Sequence, residues 1–147
     1  MRDEELVLRF YAFHIHGLKS YRTPQKYWLN DAAKAGQSYA PARIARLRTV
    51  WEGAIDIALT WFDHDECFRR SSSTVINRAL FDWIMSSATK VDFDGATSLR
   101  TSVRKALAGL LKNEEFNDLI SRAVDHSKRT QRRFAMWNQR VGQLLKS

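Results

Sequence analysis

The stretch PARIARLRTVWEGAIDIALTWF, residues 41–62, decides the fold class. Its apolar residues Ile44, Leu47, Trp51, Ala54, Ile55, Ala58, Leu59 and Phe62 recur mostly at intervals of three and four. That spacing places them on one face of an α-helix, whereas a half-buried strand alternates at every second residue. Ala40-Pro41 marks the start. Proline suits the first helical position, because the N–H it lacks would have no partner there. A helix of this length with an apolar stripe needs other helices to cover it.

Working outward, the same period returns on both sides. Upstream, Thr23-Pro24 reads as a cap and first-turn proline for a helix carrying Tyr27, Trp28, Ala32 and Ala33 and ending at Gly36. Before it, Leu6, Phe10, Phe13 and Gly17 follow an acidic first turn, Asp3, Glu4 and Glu5, which suits a helix N-terminus. Downstream, Ser71, Ser72, Ser73 and Thr74 offer caps for a helix through Ile76, Leu80, Trp83 and Ile84. A loop is expected around Phe93-Asp94-Gly95, then a stripe of Leu99, Val103, Leu107 and Leu110. Asn113 caps a short helix with Phe116, Leu119, Ile120 and Val124 inward. The last helix, residues 128–145, sets Phe134, Trp137, Val141 and Leu144 on one face. No segment alternates as strands do. The expectation is an all-α, irregular bundle of six or seven helices, one domain over residues 1–147.

Composition narrows the class. A 44% hydrophobic, 12% aromatic chain of 147 residues has the material for a core. No apolar run approaches the ~18 residues a membrane helix needs. The charged N-terminus lacks a secretory h-region, and the single cysteine, Cys67, forms no disulfide within the chain. These features lead to an expectation of a cytoplasmic protein without a membrane partner. The outlier is a net charge of +8. Four cations (Lys34, Arg43, Arg46, Arg48) and no acid lie between Ala32 and Trp51. Six more (Lys128, Arg129, Arg132, Arg133, Arg140, Lys146) and no acid lie between His126 and Ser147. Such faces attract polyanions by counterion release, or meet an acidic protein surface.

Clusters with chemical potential have plainer readings. His14 and His16 are two apart, and on a helix ligand pairs sit three or four apart, so a helix-end pair is expected rather than a metal site. Asp63-His64-Asp65-Glu66-Cys67 offers oxygen, nitrogen and sulfur ligands in five residues. It lacks the glycine and alternating carboxylates of a calcium loop, so a polar helix terminus with Cys67 and Phe68 in the core is expected. The neighbouring acids would raise the thiol pKa, against a nucleophile. No phosphate-binding glycine loop or nucleophile elbow occurs. The chain is therefore expected to be no enzyme by itself, with no catalytic residue, metal or cofactor.

Arg43, Arg46, Arg48, Lys128, Arg129, Arg132 and Arg133 are the candidate phosphate contacts. Guanidinium forks suit phosphate oxygens. If about five phosphates are engaged, log affinity falls against log salt with a slope near −4 to −5. Trp137 could stack on a base, but its place in the apolar stripe assigns it to the core.

Three stretches carry a resemblance. Arg2-Asp3-Glu4-Glu5-Leu6-Val7-Leu8-Arg9-Phe10, with Tyr21 and Tyr27-Trp28-Leu29-Asn30, resembles a segment of the GmrSD-type restriction and phage-defence family. Phe68-Arg69-Arg70 with Ile76-Asn77-Arg78-Ala79-Leu80-Phe81-Asp82, and the layout from Phe116 to Leu145, resemble its later helical blocks. The opening stretch is the specific one; the other two are ordinary helical text. Members of that family carry an N-terminal ParB/sulfiredoxin-like nuclease or nucleotidase domain with an Asp-Gly-Gln-Gln-Arg-like signature. This chain has neither that signature nor a His-Asn-His motif, and its one Asp-Gly, Asp94-Gly95, continues as Ala-Thr. The resemblance implies the helical portion that follows a nuclease domain present in cis or in trans, acting as a non-catalytic module in restriction. It also implies nucleic acid as a partner and leaves homo-oligomerisation open. The alternative is a protein–protein interaction or oligomerisation module without direct nucleic-acid contact.

Overall fold

A computed structural model describes residues 3–71 and 73–146, and among these it contains seven α-helices and no strand. They are α1 (Asp3–Tyr11), α2 (Gln25–Gly36), α3 (Pro41–Trp61), α4 (Arg78–Ala88), α5 (Phe93–Leu111), α6 (Glu114–Ser121) and α7 (Ser127–Trp137). α1 runs on through a wider π turn (Ala12–His16) and α7 through another (Asn138–Gly142). The sole extended pairing among the described residues is an isolated bridge between Arg69 and Ile76. The chain is an all-α irregular bundle, and no helix is long and apolar enough to cross a membrane.

α4 is the central helix. Nine of its eleven residues are buried, including Leu80, Phe81, Trp83, Ile84 and Met85, and a helix apolar nearly all round must lie inside. It packs against α1, α3 and α7. Two ion pairs at matching helical spacing fix α1 on α4. Arg78 meets Glu5 at the edge, and Arg9 meets Asp82 inside, where the two side chains are 1% and 0% exposed. The opening stretch and the stretch 76–82 are thus each other's packing partners. Aromatic rings fill the space between helices: Trp83 lies 4.9 Å from Phe116 and 5.8 Å from Trp137. Trp61 closes the end of α3 by donating its indole N–H to the Ala96 carbonyl at 3.0 Å.

Helix boundaries follow the capping chemistry, with three corrections. Ala40 caps α3 with Pro41 in its first turn, and the Asn113 side chain accepts the Phe116 N–H, as the sequence predicts. Thr23, however, does not cap α2. Pro24 is the extended residue before that helix, and Thr23 Oγ1 instead accepts the N–H of Ser127 at 2.9 Å, capping the start of α7. The cap of α4 is Asn77, which accepts the Leu80 N–H at 3.1 Å, not Ser71, Ser73 or Thr74; Ser72 lies outside the described residues. Phe93-Asp94-Gly95 is not a loop. Asp92 accepts the Gly95 N–H at 2.7 Å and starts α5 there. For α4 and α5 a side-chain acceptor three residues before the N–H decides the boundary, whereas the α7 cap comes from a distant residue.

Candidate nucleic-acid and partner interface

The two basic stretches have opposite fates. α6 and α7 pack together, and the acids of α6 take the cations of α7. Arg132 donates through Nε and Nη2 to both oxygens of Glu115, at 2.6 and 3.0 Å. Arg129 donates to the Asp118 carboxylate and to the Asp118 carbonyl, each at 2.8 Å, and Arg122 reaches the same carboxylate. Hydrogen bonds from these guanidiniums hold the Glu115 and Asp118 carboxyls below their ordinary values. Arg133 is 1% exposed and donates to the Leu119 carbonyl at 3.2 Å and to Thr130 Oγ1 at 3.0 Å. Burial pulls its pKa down to about 10. It has no surface to offer a phosphate. Of the four α7 cations singled out from sequence, Lys128 alone is exposed without an acidic partner among the described residues.

Arg133 was hidden by its neighbours in the basic run. It follows Thr130 by three and precedes Trp137 by four, so it shares the buried face with both. That phase is the signal in the sequence that marks it as interior.

α3 presents the contrary case. Arg43, Arg46 and Arg48 are all exposed, and none forms an ion pair among the described residues. Glu52, one turn beyond Arg48, makes no salt bridge with it. The Arg43 guanidinium rests 3.9 Å over the Tyr39 ring, a cation–π contact that leaves its charge uncompensated. These three arginines are brought together on one element, apart from the α7 group. Most of α3's first turns protrude: residues 41–46 are exposed, and the stripe residue Ile44 is 47% exposed. Of the stripe predicted as core, Ala54, Ala58 and Phe62 are buried and Ile55 is half-buried, whereas Leu59, like Ile44, is exposed.

Beside that protruding half lies a groove of about 430 Å³. α2 packs on α1 and the following π turn while α3 packs on α4 and α5, and the groove opens where α1, α2 and α3 adjoin. Val7, Leu8 and Tyr11 of α1 form the floor between them. Ala32, Ala33 and Gly36 make the α2 wall, and Ile44, Leu47 and Trp51 the α3 wall. Tyr11 pins the arrangement by donating its hydroxyl to the Leu47 carbonyl at 2.8 Å, and its burial raises its pKa. Arg48 and His16 are the basic residues lining the groove, and no acidic residue lines it.

A third group joins Arg140 of the last basic stretch to two lysines that the sequence does not single out. Lys105 on α5, Lys112 just after it and Arg140 from the turn after α7 line a shallow hollow. They are 28 or more residues apart across the two elements, so no local run signals them.

The acidic stretch after α3 is held by arginines. Asp63 pairs with Arg100 at 3.2 Å; Glu66 accepts the Asp63 N–H and pairs with Arg104. Among the described residues, no three His, Cys, Asp or Glu side chains group as a metal ion would require. Cys67 and Phe68 sit in the core, as expected. Burial, reinforced by Glu66 and opposed by Arg69, pushes the Cys67 thiol up to about 12. At pH 8 only about one thiol in ten thousand is then ionised, and the thiolate is the reactive form. The folded protein should therefore resist a chromogenic disulfide reagent, and the urea-unfolded chain should titrate one thiol. Rapid stoichiometric reaction of the folded chain would contradict this burial.

No protein-family model matches the chain, and neither does any curated protein or solved structure.

Proposed function

We propose that this chain is a non-catalytic helical module of a GmrSD-like DNA restriction and phage-defence protein, supporting a nuclease domain and contacting nucleic acid through a basic face. The carrying observation is the uneven fate of the cations: α7's arginines are engaged internally, whereas Arg43 and Arg46 on α3 stand exposed without an ion pair among the described residues. Phosphate contacts therefore centre on those two, and the sequence-based count of about five contracts. The ion pairs of Glu5 with Arg78 and Arg9 with Asp82 join the opening stretch to the stretch 76–82, two of the three that carry the resemblance. The family assignment and the nuclease partner rest on that resemblance.

Titration of labelled duplex DNA with the full chain, followed by anisotropy across ionic strengths, tests the nucleic-acid part. Binding should weaken steadily as salt rises. Absence of salt-sensitive binding at low ionic strength excludes it. A second reading, a protein-interaction module, is favoured by the apolar groove beside α3.

A further inference from the structure

We infer that the groove between α2 and α3 seats an amphipathic helix of a partner protein, its apolar stripe in the groove and its flanking carboxylates against Arg48. The floor and walls are apolar and formed by three helices, which is how helix-binding grooves are built, and helical ligands fill them with side chains at i, i+3, i+4 and i+7. Ala33 and Gly36 keep the α2 wall low, so a partner backbone comes close there. The volume of about 430 Å³ accepts anchoring side chains, and exposed Ile44 gains cover when they enter. Charge selects the occupant. The groove has Arg48 and His16 at its edge, no acid in its lining, and belongs to a chain of net charge +8. Two copies of this chain, each of net charge +8, repel one another overall, whereas a helix carrying Asp or Glu beside its stripe meets a guanidinium with no ion pair among the described residues.

The inference is independent of nucleic-acid binding, because Arg43 and Arg46 are not groove walls. Its test is to pan a phage-displayed library of helical peptides on the full chain, with the Ile44→Asp variant as counter-target. Ile44 is half exposed, so that variant keeps its fold. Enriched peptides should share an apolar stripe flanked by Asp or Glu, ignore Ile44→Asp, and bind Arg48→Glu about fivefold more weakly, as a surface ion pair implies. Three results overturn the inference: no enrichment, binders that lack acids or bind Ile44→Asp equally, or self-association in sedimentation that Ile44→Asp abolishes. DNA binding is read separately on Arg43 and Arg46, so failure here leaves the nucleic-acid reading standing, and the reverse also holds.

Discussion

Asp82→Ala is expected to lower the unfolding free energy by about 3–5 kcal/mol, the range for removing one partner of a buried ion pair. Asp82 accepts from Arg9 Nε at 3.1 Å and Nη2 at 2.5 Å, with both side chains sealed from water. Burial pushes the Asp82 carboxyl up and the Arg9 guanidinium pulls it back, so the pair persists only because each charge compensates the other. Take away the carboxylate, and Arg9 remains buried without its ion-pair partner, while buried Arg133 also loses the field of Asp82. Arg9 Nη1 already lacks a hydrogen-bond partner. The size of the loss therefore comes from the stranded charge more than from the lost contact. The double variant Arg9→Met/Asp82→Leu should recover part of it, since an apolar pair of similar volume removes both desolvation costs but leaves buried Arg133 without the field of Asp82. Urea unfolding of the three proteins checks this. A single variant within about 0.5 kcal/mol of wild type, as for a surface substitution, would contradict the buried pair.

Trp137→Ala should cost about 3–5 kcal/mol by the same assay, as large-to-small changes of buried aromatics do. The ring is 1% exposed, stacks on Trp83 with an interplanar angle of 24°, and donates its N–H to Ser87 Oγ at 2.7 Å. Trp137→Phe keeps the stacking and deletes that donor, so about 1–3 kcal/mol is expected from a Ser87 hydroxyl left unpaired. Were Trp137 a platform for a nucleic-acid base, truncation would instead spare stability and weaken binding by about 1–3 kcal/mol. The two outcomes separate cleanly, and the burial of the ring selects the first.

How far the sequence led depends on what each feature needed. Apolar stripes and local caps are short-range, so α3 from Pro41 and α6 after Asn113 were legible from spacing and side-chain chemistry. Thr23 was misassigned because its true partner, the Ser127 N–H, is 104 residues away. The Arg9–Asp82 pair spans 73 residues and was invisible for the same reason. Arg132 and Arg133 show how the site was blurred: adjacent in sequence and alike in charge, they differ by one step of helix phase. One rests on Glu115 in solvent, the other under Leu119 in the core. Nor could periodicity say that α3's stripe would outrun its cover, because that depends on where α2 and α4 end up. The unneutralised charge on α3 is a property of the packing, and it narrows the candidate site from both basic stretches to the third helix.

Charge reversal in the two basic regions, compared in one anisotropy titration on duplex DNA, tests the central claim most directly. Arg43→Glu/Arg46→Glu should flatten the slope of log affinity against log salt by about 2, near 0.9 for each phosphate lost. Lys128→Glu/Arg132→Glu should change it by about 1 or less, since Arg132 is already taken by Glu115. If the α7 pair carries the larger loss, or the α3 pair leaves slope and affinity unchanged, α3 is not the nucleic-acid face and the account fails.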